Sequence, residues 1–313
     1  MAASFTAYSI KDSSRPALAL VTGGRSGIGK AIAKKIASFP FIDNVLIVSR
    51  HVNQTEATAE DSKFVAVAAD IGTEEGRQKV VDKVQSLSEQ DGNALRQLRF
   101  LVHSAGTIEP ISPVLHVTPE ELRKALNVNL EGPFFLSNAL YPYMSAQDDT
   151  AAAGRILHVS SGAAHGAPPI GWGVYGITKA AFFQSFKVLS REYDHLGAKV
   201  VVGSFKPGVV DTPMQGVIRE SPSDKMPVVG NFQAMKEKAT EHAKSGSMDT
   251  SKARPPPTGA LDSPDNVAFF AEWLLLGTSD AEFSNRDDAN EYDIRDAKLY
   301  PKWIPNENLP KGQ

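Results

Sequence analysis

Tyr175 and Lys179 stand four residues apart in the run Tyr175-Gly176-Ile177-Thr178-Lys179, and a helical pattern from Ala180 to Leu189 follows at once. On a helix that spacing puts both side chains on one face, one turn above the other. A free tyrosine titrates at about pH 10, too high to exchange protons easily near neutrality. An ammonium a few ångströms away stabilises the phenolate and lowers that value. Such a pair can pass a proton to or from an alcohol or a carbonyl. Taken alone, the same two residues are also what a solvated helix face presents, so the elements that would position them decide the matter.

The first such element is Ala17-Leu18-Ala19-Leu20-Val21, a short apolar run that reads as a buried strand. It leads directly into Thr22-Gly23-Gly24-Arg25-Ser26-Gly27-Ile28-Gly29, and a helical pattern begins at Lys30. Strand, glycine turn and helix in that order form a site where the backbone can approach a pyrophosphate, which then rests on the helix N-terminus. Gly23, Arg25, Ser26, Gly27, Ile28 and Gly29 are the candidate contacts, against the alternative of a glycine-rich turn with no ligand. A second strand, Asn44 to Val48, closes on Ser49 and Arg50. This is where dinucleotide folds read the adenosine ribose, about 20 residues past the glycines. An acid there would suit NAD. Ser49 and Arg50, with Arg25 nearby in the turn, suit the extra phosphate of NADP, because guanidinium groups pair with phosphate. An exposed loop cation is the alternative for Arg50.

Composition narrows the classes. The chain has 313 residues, 42% of them hydrophobic, and a net charge of −3. That supports a sizeable core and gives no case for nucleic acid or an anionic membrane. The absence of cysteine excludes disulfides, thiolate catalysis and Cys-ligated metals, and the seven histidines show no paired metal spacing. No apolar run reaches the roughly 18 residues of a membrane span. The start, Met1 to Thr6, lacks the basic and apolar regions of a secretory signal. A soluble, cytoplasmic protein is the expectation.

Further along, residues 63–69 read as a third strand ending in Asp70, and residues 73–89 as an amphipathic helix. A fourth strand, residues 98–102, closes on His103-Ser104-Ala105-Gly106. Thr118-Pro119-Glu120-Glu121 starts a helix that is expected to end near Asn127-Val128-Asn129. An apolar helix with Pro133 in its first turn then runs to about Met144. Residues 145–154 read as a loop and 155–159 as a fifth strand closing on Ser160-Ser161-Gly162. A sixth strand, residues 199–205, ends in Pro207-Gly208-Val209-Val210-Asp211-Thr212. Residues 213–262 show no strand, carry Met214, Met226, Phe232 and Met235, and end near Pro255-Pro256-Pro257. So long an insertion is a functional lid or is disordered. As a lid it would carry a short amphipathic helix around Lys236-Glu237-Lys238. A last helix is expected at 264–276 and an edge strand at 290–294. Strand–helix alternation of this kind predicts an α/β fold, a doubly wound parallel sheet of Rossmann type. We read a single domain over 1–313, with a core at about 17–276, the lid at about 213–262, and an edge strand and tail at 277–313.

These residues resemble the short-chain dehydrogenase/reductase family over about residues 17–276. Thr22-Gly23-x-x-x-Gly27-Ile28-Gly29 is similar to its cofactor loop, Asp70 to its adenine-contacting acid, and Ala105-Gly106 to the end of its Asn-Asn-Ala-Gly motif. Asn129, Ser161, Tyr175 and Lys179 are similar to its catalytic four, and Pro207-Gly208, Val210 and Thr212 to its nicotinamide-contacting turn. Gly171-Trp172 and Asp211-Thr212-Pro213-Met214-Gln215 look like the sepiapterin reductase and benzil reductase branch. There are three departures. His103 and Ser104 replace the two asparagines, which puts their bracing of the sheet in doubt. Ser26 stands where many NADP members have a basic residue, which leaves most of the phosphate recognition to Arg50. The spacing from Ser161 to Tyr175 is one residue longer than the family pattern, and Ser160 is the alternative serine.

The resemblance implies NADPH-dependent reduction of a ketone or diketone. Tyr175 would give the proton, Lys179 would lower its pKa and bind the nicotinamide ribose, Ser161 would hydrogen-bond the carbonyl oxygen, and Asn129 would hold a water linking Lys179 to solvent. Ser161 as a loop cap and Asn129 as a helix bend are the plainer alternatives. A non-catalytic NADP(H)-binding module on the same fold is the rival class, and dehydratase or epimerase chemistry on a sugar nucleotide is a third. Trp172 and Met214 are candidates to contact a flat or bulky apolar substrate, or simply pack under the lid. Family members commonly pair the helix after Asn129 and the Tyr175 helix across subunits. Phe182, Phe183, Phe186, Val188 and Leu189 look like more apolar surface than one sheet-packed side needs, so a homodimer or homotetramer is expected.

Overall fold

The structure, a computed structural model, describes residues 16–89, 96–145, 152–197, 199–244, 249–285 and 290–309. The segment Met1 to Thr6 and most of the expected 145–154 loop lie outside the described residues. Seven parallel strands form one sheet in the order β3-β2-β1-β4-β5-β6-β7. They are β1 Ala17–Thr22, β2 Ile42–Ser49, β3 Phe64–Ala68, β4 Gln97–His103, β5 Gly154–Val159, β6 Val200–Lys206 and β7 Tyr292–Asp293. The expected edge strand at 290–294 is thus two residues long and pairs with Phe205 and Lys206. Every residue of β1 and β5 is buried, as a parallel sheet covered on both faces requires.

Alternation along the strands divides the core between the two faces. Ala19, Val21, Val45 and Ile47 point to one side, which is covered by α1 Gly27–Ala37, α2 Gln54–Glu60 and, later in the chain, the Pro264–Leu276 helix. Leu18, Leu20, Leu46 and Val48 point to the other. There lie α3 Glu74–Ser88, α5 Gly132–Met144 and α6 Gly173–His195, with α4 Pro119–Leu126 leading into α5. The α4 start carries the expected capping box, Thr118 Oγ1 accepting from Glu121 N–H at 3.2 Å while Glu121 Oε2 accepts from Thr118 N–H at 2.8 Å. Sequence periodicity does not reveal α2, which is mostly polar. Its Gln54 side chain bonds Phe64 O and Ala66 N, so the helix covers the open edge of β3.

α4 ends at Leu126, as expected, and a π-helical turn, Asn127–Glu131, joins it to α5, which carries Pro133 in its first turn. The Tyr175 helix spends most of its five named apolar residues on the sheet. Phe182, Phe186 and Leu189 recur at helical spacing on the sheet-facing side and are buried; of the five apolar residues named above, only Val188 is exposed.

The 213–262 insertion contains α7 Pro213–Arg219 and α8 Val229–Lys244. The helix expected around Lys236 is therefore present and longer. A short parallel bridge, Val210 with Asp262, ties the two ends of the insertion together before α9 Pro264–Leu276 begins.

Candidate active site

At the end of β1 the chain turns through Gly23 (φ +69°) and Gly27 (φ +54°), conformations that favour glycine. A Cβ at Gly29 would lie 2.5 Å from Gly23 O, and one at Gly23 would lie 2.8 Å from Ala105 N. The turn is this tight only because these side chains are missing. Ser26 is the N-cap of α1, yet its side chain makes no capping bond. The first turn of α1 thus offers backbone N–H groups that no side chain caps, which suits the pyrophosphate of a dinucleotide. Arg25 and Arg50 are exposed, Ser49 is half-buried, and Asp70 is half-buried with Oδ1 accepting from Gly72 N–H at 2.9 Å. A cavity of about 410 Å³ opens beside this turn, lined among others by Arg25, Ser26, Lys30 and Ile47. It lies on the α2 side, away from Tyr175. The far end of the cradle is Pro207 to Thr212. Gly208 (φ +74°) turns the chain, Val210 is buried, and Thr212 reaches back so that a Cβ on Gly27 would meet its Cγ2 at 3.1 Å.

The substitution of two asparagines by His103 and Ser104 is compensated locally. Thr22 Oγ1 accepts from both Ser104 N–H and Ala105 N–H at 3.2 Å, joining the ends of β1 and β4. His103 Nε2 lies 2.8 Å from Ser137 Oγ, and its ring packs edge-on to His158 at 5.4 Å. Both rings are fully enclosed, and burial holds them neutral, with His103 pushed down to about 3.

Tyr175 and Lys179 are 8% and 5% exposed, so they do not sit on a solvated helix face. Ser161 follows β5 in extended conformation, and its Oγ accepts from Ala163 N–H at 3.2 Å. Ser160 is also buried, and its hydroxyl has no partner among the described residues. Burial pushes the Tyr175 phenol up, and the neighbouring Ser161 hydroxyl works against that rise. Lys179 donates to Val159 O at 3.1 Å and stands 5.9 Å from the Tyr175 ring centroid. Its pKa is lowered to about 8 by burial, against the raising effect of Glu291.

Asn129 sits in the π turn, 1% exposed. Its Oδ1 accepts from Thr107 N–H at 2.8 Å, while Nδ2 donates to Thr107 O and to Thr178 Oγ1, both at 2.9 Å. Thr178 in turn donates to Tyr175 O at 2.9 Å. The extra residue of the π turn thus allows Asn129 to lock the β4 loop onto the start of α6. A Cβ on Gly106 would lie 3.2 Å from Asn129 Oδ1 and 3.9 Å from Lys179 Nζ, so these three residues share one small volume. Sequence reading missed Thr107 and Thr178. Thr178 had a signal, since it stands inside the Tyr175–Lys179 run.

The wall beside Tyr175 is apolar. Ile108, Ile218, Met226 and Phe232 are buried around it, with Trp172 and Met214 partly buried against them. Trp172 meets Tyr175 edge-on at 5.8 Å and Phe232 at 5.2 Å. Polar contacts hold the insertion in this position: Lys236 Nζ lies 2.6 Å from Asp211 Oδ2, and Gln233 Nε2 donates to Arg219 O at 3.1 Å.

With glycine turn, serine, tyrosine, lysine and asparagine gathered on one sheet, relatives can be compared. The sequence pattern of the short chain dehydrogenase family matches residues 17–223. This chain belongs to the short chain dehydrogenase family. A benzil reductase ((S)-benzoin forming) from Bacillus cereus is 27% identical over 222 residues, covering 70% of this chain and 85% of that protein. A sepiapterin reductase from Bos taurus is 31% identical over 218 residues, 66% of this chain and 78% of the other. Among solved structures, the KRED1-Pglu enzyme has a TM-score of 0.66 at 25% identity, over 88% of this chain and 99% of that one. The L-sorbose reductase of Gluconobacter frateurii, at 24% identity and TM-score 0.66, covers 89% of this chain and 95% of its own and shares the fold. No described helix of this family member is long and apolar enough to cross a membrane.

Proposed function

We propose that this short-chain oxidoreductase is an NADPH-dependent carbonyl reductase whose substrate is an apolar ketone or diketone. The observation that carries the reading is Tyr175, buried with Lys179 one turn away and set against the apolar cluster of Trp172, Met214, Met226 and Phe232. The benzil and sepiapterin reductase relatives support the reaction class. NADPH, when bound, supplies the hydride. The first turn of α1 and Gly23–Gly29 would hold its pyrophosphate, Arg50 with Arg25, Ser26 and Ser49 its 2′-phosphate, and Asp70, Ala105 and Gly106 the adenosine side. Pro207, Gly208, Val210 and Thr212 would hold the nicotinamide end, and Lys179 the ribose.

The chain's own part is proton and charge management. Burial keeps Tyr175 protonated at neutral pH, the form needed to donate to a carbonyl oxygen as charge develops there. Ser161 donates a second hydrogen bond to that oxygen. Lys179 remains an ammonium below about pH 8 and supports the phenolate left behind. Asn129, through Thr107 and Thr178, fixes the frame in which these groups meet. The test is NADPH consumption with a carbonyl panel that includes benzil-type diketones and pterin side-chain ketones. Tight NADPH binding with no turnover on any carbonyl would favour a binding-only protein instead.

Two expectations belong to this reading. The insertion is anchored at Thr212 and rests on Tyr175 through Ile218, Met226 and Phe232, so substrate must enter past it. Hydrogen exchange of residues 213–262 is expected to slow when NADP and an inhibitor are both bound. Equal protection in the free and bound states would make the segment a fixed wall. The second concerns assembly. The exposed apolar residues here are Ile177 and Val188 on α6 and Phe135 on α5, at 57%, 37% and 49% exposure. A homodimer or homotetramer through these two helices is expected at micromolar concentration, and a monomer in sedimentation would count against it.

A further inference from the structure

Just before β7, the chain buries a carboxylate that no motif foreshadows. The Glu291 side chain has no solvent exposure. Its Oε1 lies 2.5 Å from His165 Nε2, and its Oε2 accepts from the Ser204 hydroxyl at 2.7 Å. An ionised carboxylate only accepts, so His165 is the Nε2–H donor. Such a group is costly to bury unless its oxygens find donors, and here each oxygen has one.

The two donors belong to different parts of the chain, so the carboxylate links them. Ser204 lies in β6, and its neighbour Phe205 is level with Tyr292 of β7, which fixes Glu291 beside that strand. His165 closes a short turn that begins at Ser161. Ala164 N–H donates to Ser161 O and His165 N–H to Gly162 O, both at 3.1 Å. Ala163 N–H donates to the Ser161 hydroxyl at 3.2 Å. Residues 161–165 are therefore one small unit, with the serine at one end and the imidazole at the other. Ala163, in its middle, rests against the cluster around Tyr175.

β6 grips this unit at both ends. Ser160 N–H, just before it, donates to Phe205 O at 2.9 Å. His165, at its far end, reaches the adjacent Ser204 through Glu291. The imidazole also packs on Phe183 of α6 at 4.5 Å. Among the described residues, the hydrogen bond that ties residues 162–170 to another element is the one from His165. A Cβ at Gly162 or Gly166 would meet nothing within 4 Å, so packing does not confine the turn at those points.

We propose that His165, Glu291 and Ser204 form a clamp that positions Ser161 for its hydrogen bond to the substrate carbonyl oxygen. They act through Ser161, as positioning residues. The inference rests on the reading of Ser161 as the serine of carbonyl reduction. A donor to a developing oxyanion helps only when it already points at that oxygen, and a misplacement of about 1 Å can cost about 100-fold in rate. The clamp gives the C-terminal segment, which lies beyond the family match at 17–223, a part in the chemistry.

His165→Ala combined with Glu291→Gln opens the clamp and leaves no unpaired buried charge. Amide hydrogen exchange of residues 162–166 should quicken at least about tenfold, with α6 unchanged. In the same protein kcat for carbonyl reduction should fall about 10- to 100-fold, with the Kd for NADPH kept within about threefold. His165→Gln can place an amide N–H near the position of the imidazole Nε2–H. It should bring both readouts to within about threefold of wild type. In a Ser161→Ala background, opening the clamp should cost no further turnover, because effects passed through one group are not additive. A merely structural link would cost the same factor in both backgrounds. That result overturns the proposal, as does unchanged exchange in the double variant or a His165→Gln protein no better than it. Should the double variant fail to fold, Ser204→Ala weakens the same link and leaves the His165–Glu291 pair whole. Exchange of 162–166 should then quicken at least about threefold, and wild-type exchange overturns the idea. If the wild type reduces no carbonyl, the functional reading fails while exchange still decides whether the clamp holds the turn.

Discussion

Replacing Tyr175 with phenylalanine is expected to lower kcat for carbonyl reduction by at least about 100-fold, the range that general acid catalysis contributes. The substitution deletes one oxygen and little else. The ring keeps its place in the apolar cluster and its edge contact with Trp172. Ser161 keeps its bond from Ala163 N–H, and Asn129 keeps its contacts to Thr107 and Thr178. The Kd for NADPH, followed by fluorescence, should therefore stay within about threefold, since the contacts proposed for the cofactor are retained. The wild-type pH profile gives an independent check. Lys179 is protonated below about pH 8, so reduction should be favoured below that value and fall above it as the ammonium is lost. Turnover near the wild-type rate in Tyr175→Phe would sink the assignment of the proton donor.

Replacing Arg50 with aspartate should weaken NADPH binding by about 10- to 100-fold, the worth of a hydrogen bond to a charged group, while NADH binding stays the same or improves. Arg50 stands exposed in the turn after β2, beyond Ser49, so the substitution touches no core contact. The new acid repels a 2′-phosphate and can accept from ribose hydroxyls. Because Arg25 is also exposed in the glycine turn, some phosphate affinity should survive in Arg50→Asp and disappear in the double substitution with Arg25→Ala. Kd values for both cofactors in the three proteins test this. A wild type that already prefers NADH would refute the reading of Ser49 and Arg50.

The sequence determined the local elements whose signals are themselves local. The apolar run 17–21 running into glycines can only be a buried strand and a tight turn, and the structure shows why Gly23 and Gly29 admit no Cβ. The Thr118–Glu121 capping box, the Pro264 helix and the alternation that implies a parallel sheet are legible for the same reason: each depends on residues a few positions apart. Four-residue spacing likewise placed Tyr175 and Lys179 on one helix face. Tertiary packing decided what those side chains then meet. Whether Phe182 and Phe186 face the sheet or a partner depends on how α6 is rotated against β5 and β6, and they face the sheet. The choice between Ser160 and Ser161 depends on which of two adjacent residues the end of β5 turns toward Tyr175. Asn129 reads as a helix end or a bend in sequence, and only the π turn explains its grip on both Thr107 and Thr178. Lys179 finds Val159 O, and Glu291 finds His165 and Ser204, because parallel register brings strands far apart in sequence level with one another. A partner 126 residues away leaves no periodic trace in the chain, since its position is set by the sheet and not by any local preference.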